Sequence, residues 1–187
     1  MMLPKESSPT GTNNITQLCL ASAFLALIIV TRLVSIMLGP FILGYSLQLH
    51  YIPYSLGLIY LKDYKYKLGL FIFAPLILIV FTIGVNPIFD YVLTMYSFFM
   101  LLIIKFKDYV IKKQIIILLV VMFFNFNLAN LWNVISGVVF YRVTWSYSFV
   151  FNAIFNAINF AIITPIFLMS YKIITTYQKN INYEFTN

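Results

Sequence analysis

Lysine punctuates this chain in alternate gaps. Lys62, Lys65 and Lys67 crowd one short break between apolar stretches, and Lys105, Lys107, Lys112 and Lys113 crowd another. Lys5 precedes the first apolar stretch, and Lys172 and Lys179 follow the last. The breaks in between are nearly free of lysine. Cytoplasmic loops of membrane proteins are enriched in Lys and Arg, so the alternation predicts a topology. It predicts an even number of spans, both termini in the cytoplasm, and lysine-poor helix ends facing outside.

Composition agrees with that reading. The chain is 62% hydrophobic and 9% charged, more apolar surface than a soluble domain of 187 residues can hide. The length suits one membrane domain. A net charge of +7 would point to nucleic acid in a soluble protein. Here the lysines flank apolar spans, so they read as a topology signal and as contacts for anionic membrane lipid, with no nucleic-acid partner. The single Cys19 offers no disulfide, metal cluster or redox pair. The polar start is followed by a span too long for a signal-peptide core, so no cleavage is expected. Abundant Ile, Phe, Tyr, Asn and Lys suggest an AT-rich bacterial genome, hence a multi-pass protein of a bacterial plasma membrane.

Six stretches follow: roughly 15–38, 47–61, 68–84, 88–104, 114–140 and 147–174. Gly39-Pro40 closes the first, Asn86-Pro87 the third, and 62–67 and 105–113 form basic breaks. A helix needs about 20 apolar residues to cross the hydrocarbon core, so the second and third are short, and the second reads as tilted or partly re-entrant. Only helices satisfy their backbone in lipid at these lengths. The expected fold is all-α: an integral membrane bundle of six transmembrane helices with both termini cytoplasmic. Residues 1–14 form a polar N-terminal tail, 15–174 the bundle, and 175–187 a C-terminal tail.

Polar groups inside a membrane are costly and turn inward. Here they gather towards the predicted outer face. Asp90 is the only acid within a span; Glu6, Asp63, Asp108 and Glu184 lie in tails or basic breaks. Tyr91 follows it. The fifth stretch carries Asn125, Asn127, Asn130, Trp132 and Asn133, and the next turn holds Tyr141, Arg142 and Trp145. The sixth opens with Tyr147, Asn152, Asn156 and Asn159. Each has a plainer reading. Trp145 and Tyr147 suit an interfacial belt, the asparagines suit helix-to-helix hydrogen bonds, and Asp90 could pair with Arg32 or Arg142. His50 reads as a packed residue rather than a ligand. Together, one carboxylate beside several rings suits an organic cation, and asparagines suit the polar edge of a heteroaromatic ring. The sequence carries no nucleotide-binding loop, nucleophile–base pair or metal-ligand spacing, so no enzyme activity, cofactor or metal is expected.

Between Asn133 and Asn152 the chain reads Asn-Val-Ile-Ser-Gly-Val-Val-Phe-Tyr141, then Trp145-Ser-Tyr147-Ser-Phe-Val-Phe-Asn152. This segment resembles the thiamine-specific substrate-binding (S) component of energy-coupling factor (ECF) transporters, which carries H-F-I-S-G-x-x-F-W followed by Y-S-x-x-Y-N. Asp90-Tyr91 is similar to that family's acidic-Tyr pair. The resemblance covers about 85–165 and is topological before that. It implies substrate contacts at Asp90, Tyr91, Asn133, Gly137, Tyr141, Trp145, Tyr147 and Asn152. Two positions depart: Asn133 stands where the family has His, and Tyr141 where it has Trp. It further implies docking on a transmembrane coupling subunit powered by an ATPase pair. The family's small-residue face on the first helix is matched loosely by Cys19, Ser22, Ala23 and Ala26. Small residues four apart let helices approach closely in lipid.

The sequence thus leads to a vitamin-binding S component, for thiamine first. An S component for another vitamin and a small structural membrane protein of the cell-shape machinery are the alternatives. A scaffold has no need of the outer acid and aromatic cluster.

Overall fold

A computed structural model describes residues 10–38, 47–80, 98–99, 101–103 and 111–184, without the side chains at 10–13, 111, 129, 130, 133, 136, 141 and 178–184. All regular structure among them is helical. Among the described residues five helices have bounds: α1 (Thr10–Met37), α2 (Tyr51–Tyr60), α3 (Tyr64–Val80), α4 (Ile111–Tyr141) and α5 (Trp145–Glu184), and residues 98–99 and 101–103 are helical as well. Two are long and apolar enough to cross a membrane, over Asn14–Met37 and Trp145–Tyr177. Much of the fourth expected stretch, 88–104, lies outside the described residues, as do the turns at Gly39-Pro40 and Asn86-Pro87.

The helices form two packed groups. In the first, α1, α2 and α3 all touch one another; in the second, α4 and α5 lie antiparallel. The buried positions of α1 are Gln17, Phe24, Ile28 and Ser35, one stripe at helical spacing. Those of α4 run Gln114, Leu118, Val121, Met122, Asn125 and Phe126. Those of α5 run Ser148, Asn152, Phe155, Asn156, Asn159, Ile163, Phe167 and Tyr171. The opposite faces carry exposed Leu27, Val30, Phe123, Phe124, Ile154 and Ile166. An apolar exterior of this breadth suits hydrocarbon rather than water.

The α2 helix joins the two groups, and it differs from the expected span. Ten residues rise only about 15 Å, half the hydrocarbon thickness. Residues 47–50 are not helical. Gly57 sits at the crossing with α1 and α3. A side chain there would run into Leu70, with Phe24 Cγ 3.1 Å away. Along α5, the Gln48 N–H donates to Asn159 Oδ1 at 3.0 Å and the Tyr60 hydroxyl to the Tyr171 carbonyl at 3.1 Å. Both pairs are 111 residues apart, so α2 and α5 descend in parallel and in register.

The lysine-bearing ends meet at one end of the bundle. The Lys62 N–H donates to Gln17 Oε1 at 2.8 Å, and Lys65 Nζ to Asn14 Oδ1 at 3.3 Å. Tyr60 also bonds Thr175 Oγ1 at 2.7 Å, and the Tyr171 hydroxyl donates to Gln114 Oε1. These contacts tie the starts of α1, α3 and α4 to the end of α2 and the lower part of α5.

Two boundaries move from the expected ones. Residues 62–67 were expected as a break, yet α3 begins at Tyr64. Asp63 is its N-cap: its Oδ1 accepts from the Lys65 N–H at 3.2 Å, so the first turn is satisfied locally. The C-terminal tail expected from residue 175 is instead a continuation of α5 to Glu184. No Pro or Gly interrupts 175–184, so nothing stops the helix.

Pro75 lies inside α3 and has no N–H to give the Phe71 carbonyl. The Tyr54 hydroxyl, fully buried, donates to that carbonyl at 2.9 Å. Tyr54→Phe should therefore destabilise the protein by about 1–3 kcal/mol, because a buried acceptor is left bare. In a Pro75→Ala background the restored N–H takes the acceptor, and the same change should cost about 1 kcal/mol less. Thermal unfolding of the four proteins in detergent measures the coupling.

Candidate functional site

The α4–α5 turn is built by its sequence. Arg142 adopts a left-handed conformation with φ 54°, and the Val143 N–H returns to the Gly137 carbonyl at 3.1 Å. Thr144, a residue type suited to helix N-caps, accepts the first bond of α5 from the Ser148 N–H at 3.0 Å. The turn holds α4 and α5 close enough that Ser148 occupies the space a side chain at Gly137 would need. The Ser148 hydroxyl donates to the Val134 carbonyl at 3.4 Å, and Asn152 Nδ2 donates to the Ser148 carbonyl at 2.8 Å.

Below this node a polar stripe runs down the buried face of α5. Asn156 Nδ2 donates to the Asn152 carbonyl at 2.9 Å, and Asn159 Nδ2 to the Phe155 carbonyl at 3.3 Å. Each amide donor is thus tied to its own helix. Asn159 spends its oxygen on Gln48. Asn152, Asn156 and Asn159 are all less than 5% exposed. An aromatic cluster lines the seam facing α2. The Tyr51 ring meets Phe98 at 5.2 Å and Phe126 at 6.0 Å, and Phe126 meets Phe160 at 5.9 Å.

The structure brings together two of the residues expected to contact substrate. Gly137 and Asn152 converge through Ser148. Trp145 and Tyr147 turn outward and are 58% and 61% exposed, and Tyr147 stacks on Phe151 at 6.0 Å. Asp90 and Tyr91 lie outside the described residues, as do the side chains of Asn133 and Tyr141. Cys19, Ser22, Ala23 and Ala26 share the outward face of α1, away from Phe24 and Ile28. His50 is buried beside Tyr51, as expected for a packed residue.

Sequence reasoning did not single out Ser148 or Gln48. Ser148 falls four residues before Asn152 on one helical face, a spacing that could have been used. Gln48 carried no such signal, because its backbone makes the bond. No group of three or more His, Cys, Asp or Glu side chains is placed to hold a metal among the described residues. Comparison of the chain with protein-family models, curated proteins and solved structures returns no match.

Because Ser148 fills the notch at Gly137, Gly137→Ala should destabilise the α4–α5 pair by about 1–3 kcal/mol through overpacking. Adding Ser148→Ala removes the crowding hydroxyl and should restore part of that loss. A double-mutant cycle on melting temperature checks it. Strictly additive effects would show that the two positions do not touch.

Proposed function

We propose that this chain is the membrane-embedded substrate-binding component of a vitamin uptake system of the energy-coupling factor type, with thiamine as the first candidate substrate. The observation that carries the reading is the buried asparagine face of α5, closed at its upper end by the Gly137–Ser148–Asn152 node. Polar groups placed inside a bundle that presents apolar side chains outward mark function before structure. A structural scaffold of similar size needs no such face. The resemblance over 133–152 supplies the substrate class, and Asp90 supplies a charge to match an organic cation.

On this reading the lysine-bearing end of the bundle is cytoplasmic, and the α4–α5 turn faces outside. The six apolar stretches make a multi-pass protein of a bacterial plasma membrane. Substrate arrives at the outer end, is desolvated between α4 and α5, and is held by hydrogen bonds and ring faces. The chain itself catalyses nothing. Uphill delivery requires docking on a transmembrane coupling subunit with its ATPase pair, and the outward α1 face of Cys19, Ser22, Ala23 and Ala26 is the proposed contact.

Thiamine should bind the purified protein without ATP, and Trp132 or Trp145 should report binding by a fluorescence change. Asp90→Asn should weaken that binding about tenfold or more, since a charged hydrogen bond is worth about 1.5–3 kcal/mol. Silence in both fluorescence and calorimetry with wild-type protein would remove thiamine as the substrate.

Ala26→Trp should abolish uptake by cells while leaving ligand binding by purified protein intact. Helices in lipid associate by close packing, so a large ring on a small-residue face separates them. Uptake and recovery of the coupling subunit are to be measured on the same variant. Normal uptake would place the docking face elsewhere.

A further inference from the structure

Polar side chains along the α2–α5 seam fall into two levels. At the lysine-bearing end they are mutually bonded: Tyr60 to Tyr171 and Thr175, and Tyr171 to Gln114. Higher in the bundle, around the Gln48–Asn159 contact, several are not. Gln48 Oε1, His50 Nδ1 and Asn125 Nδ2 are shielded from solvent and have no hydrogen-bond partner among the described residues. His50 is 6% exposed and Asn125 1%. Buried polar atoms without partners are rare in folded proteins, and each calls for an occupant or another reason.

The surroundings say what kind of occupant fits. His50 sits against Tyr51, with ring centroids 4.6 Å apart, and Tyr51 meets Phe126, which follows Asn125 on α4. Phe126 meets Phe160, which follows Asn159, the anchor of Gln48. The free atoms are therefore carried on segments that converge on one set of rings. Gln48 Oε1 can only accept and Asn125 Nδ2 can only donate, while a His ring nitrogen does either according to its tautomer. Neither amide carries a charge. A flat ring edge with both a donor and an acceptor meets these demands, and ring faces suit its apolar sides.

We propose that Gln48, His50 and Asn125 read the hydrogen-bonding edge of a planar heteroaromatic ligand held among the rings of Tyr51, Phe126 and Phe160. The resemblance to thiamine-binding S components assigns ligand contact to none of them. The inference rests on the chain being a small-molecule receptor, and not on thiamine being its ligand.

Asn125→Leu and His50→Phe keep size and remove the free polar atoms. The probes are thiamine, 4-aminopyrimidine, adenine, pyridoxine and riboflavin, tested with detergent-solubilised wild type and both variants by thermal shift and calorimetry. Both variants should melt at or above the wild-type temperature, because an unsatisfied group has been removed. Each should lose at least tenfold in affinity for whichever probe binds wild type. If a probe binds and both variants keep its affinity, this inference fails while the proposed function stands. Both variants melting well below wild type would also overturn it, since the groups would then be structural. If no probe binds wild type, the receptor reading and this inference fall together.

Discussion

The hydrogen bond from the Gln48 N–H to Asn159 Oδ1 sets where α2 lies on α5, and the other helices pack around that pair. Residues 47–50, just ahead of α2, are not helical, and Leu47 and His50 among them are buried. Counting along α5 from Tyr171 to Asn159, this level stands roughly 18 Å from the lysine-bearing end by helical rise. Buried backbone polar groups need hydrogen-bond partners. Asn159 covers the Gln48 N–H from a fully buried position on α5, and the N–H groups of Tyr51, Ile52 and Tyr54 cover the carbonyls of Gln48, Leu49 and His50. The same contact fixes the register of α2 on α5, and Tyr60 with Tyr171 repeats it one helix length below. With α2 held at both ends, α1 and α3 can close around its other faces, and Gly57 lets them approach.

The same logic recurs wherever helical bonding is interrupted. Pro75 frees a carbonyl, and Tyr54 reaches across to cover it. Asp63 caps α3 at once after α2 ends, so a connection of three residues suffices between antiparallel neighbours. Exposed charge contributes little by comparison: the Lys65–Asp63 pair, at 3.6 Å, lies in solvent, where such pairs are worth at most about 1 kcal/mol. Gln48 Oε1, His50 Nδ1 and Asn125 Nδ2 have no hydrogen-bond partner among the described residues, and neither does Thr164 Oγ1 further down α5.

Much of the helical plan was legible because apolar runs and lysine breaks are both local in sequence. The limits of α1 and α4 fell within a few residues of those expected, and the basic ends do gather at one end of the bundle. What was not legible depends on facing. Composition cannot tell the apolar residues of α2, which face protein, from those of α1, many of which face outward. Tyr147 and Asn152 lie in one motif, yet one points out and the other in, because five residues is about one and a half helical turns. The close approach of Ser148 to Gly137 across the α4–α5 turn is likewise a matter of facing. The cap at Asp63 was readable in principle, but the lysines around it favoured a loop.

On this reading Asn159 and Tyr54 hold the fold, whereas Gln48 Oε1, His50 and Asn125 hold a small molecule. Mass spectrometry of wild-type protein purified in detergent from vitamin-replete cells tests it most directly. One heteroaromatic molecule should be found bound per chain, released on unfolding and identifiable by mass. Protein recovered repeatedly with lipid alone, or with nothing, would contradict it.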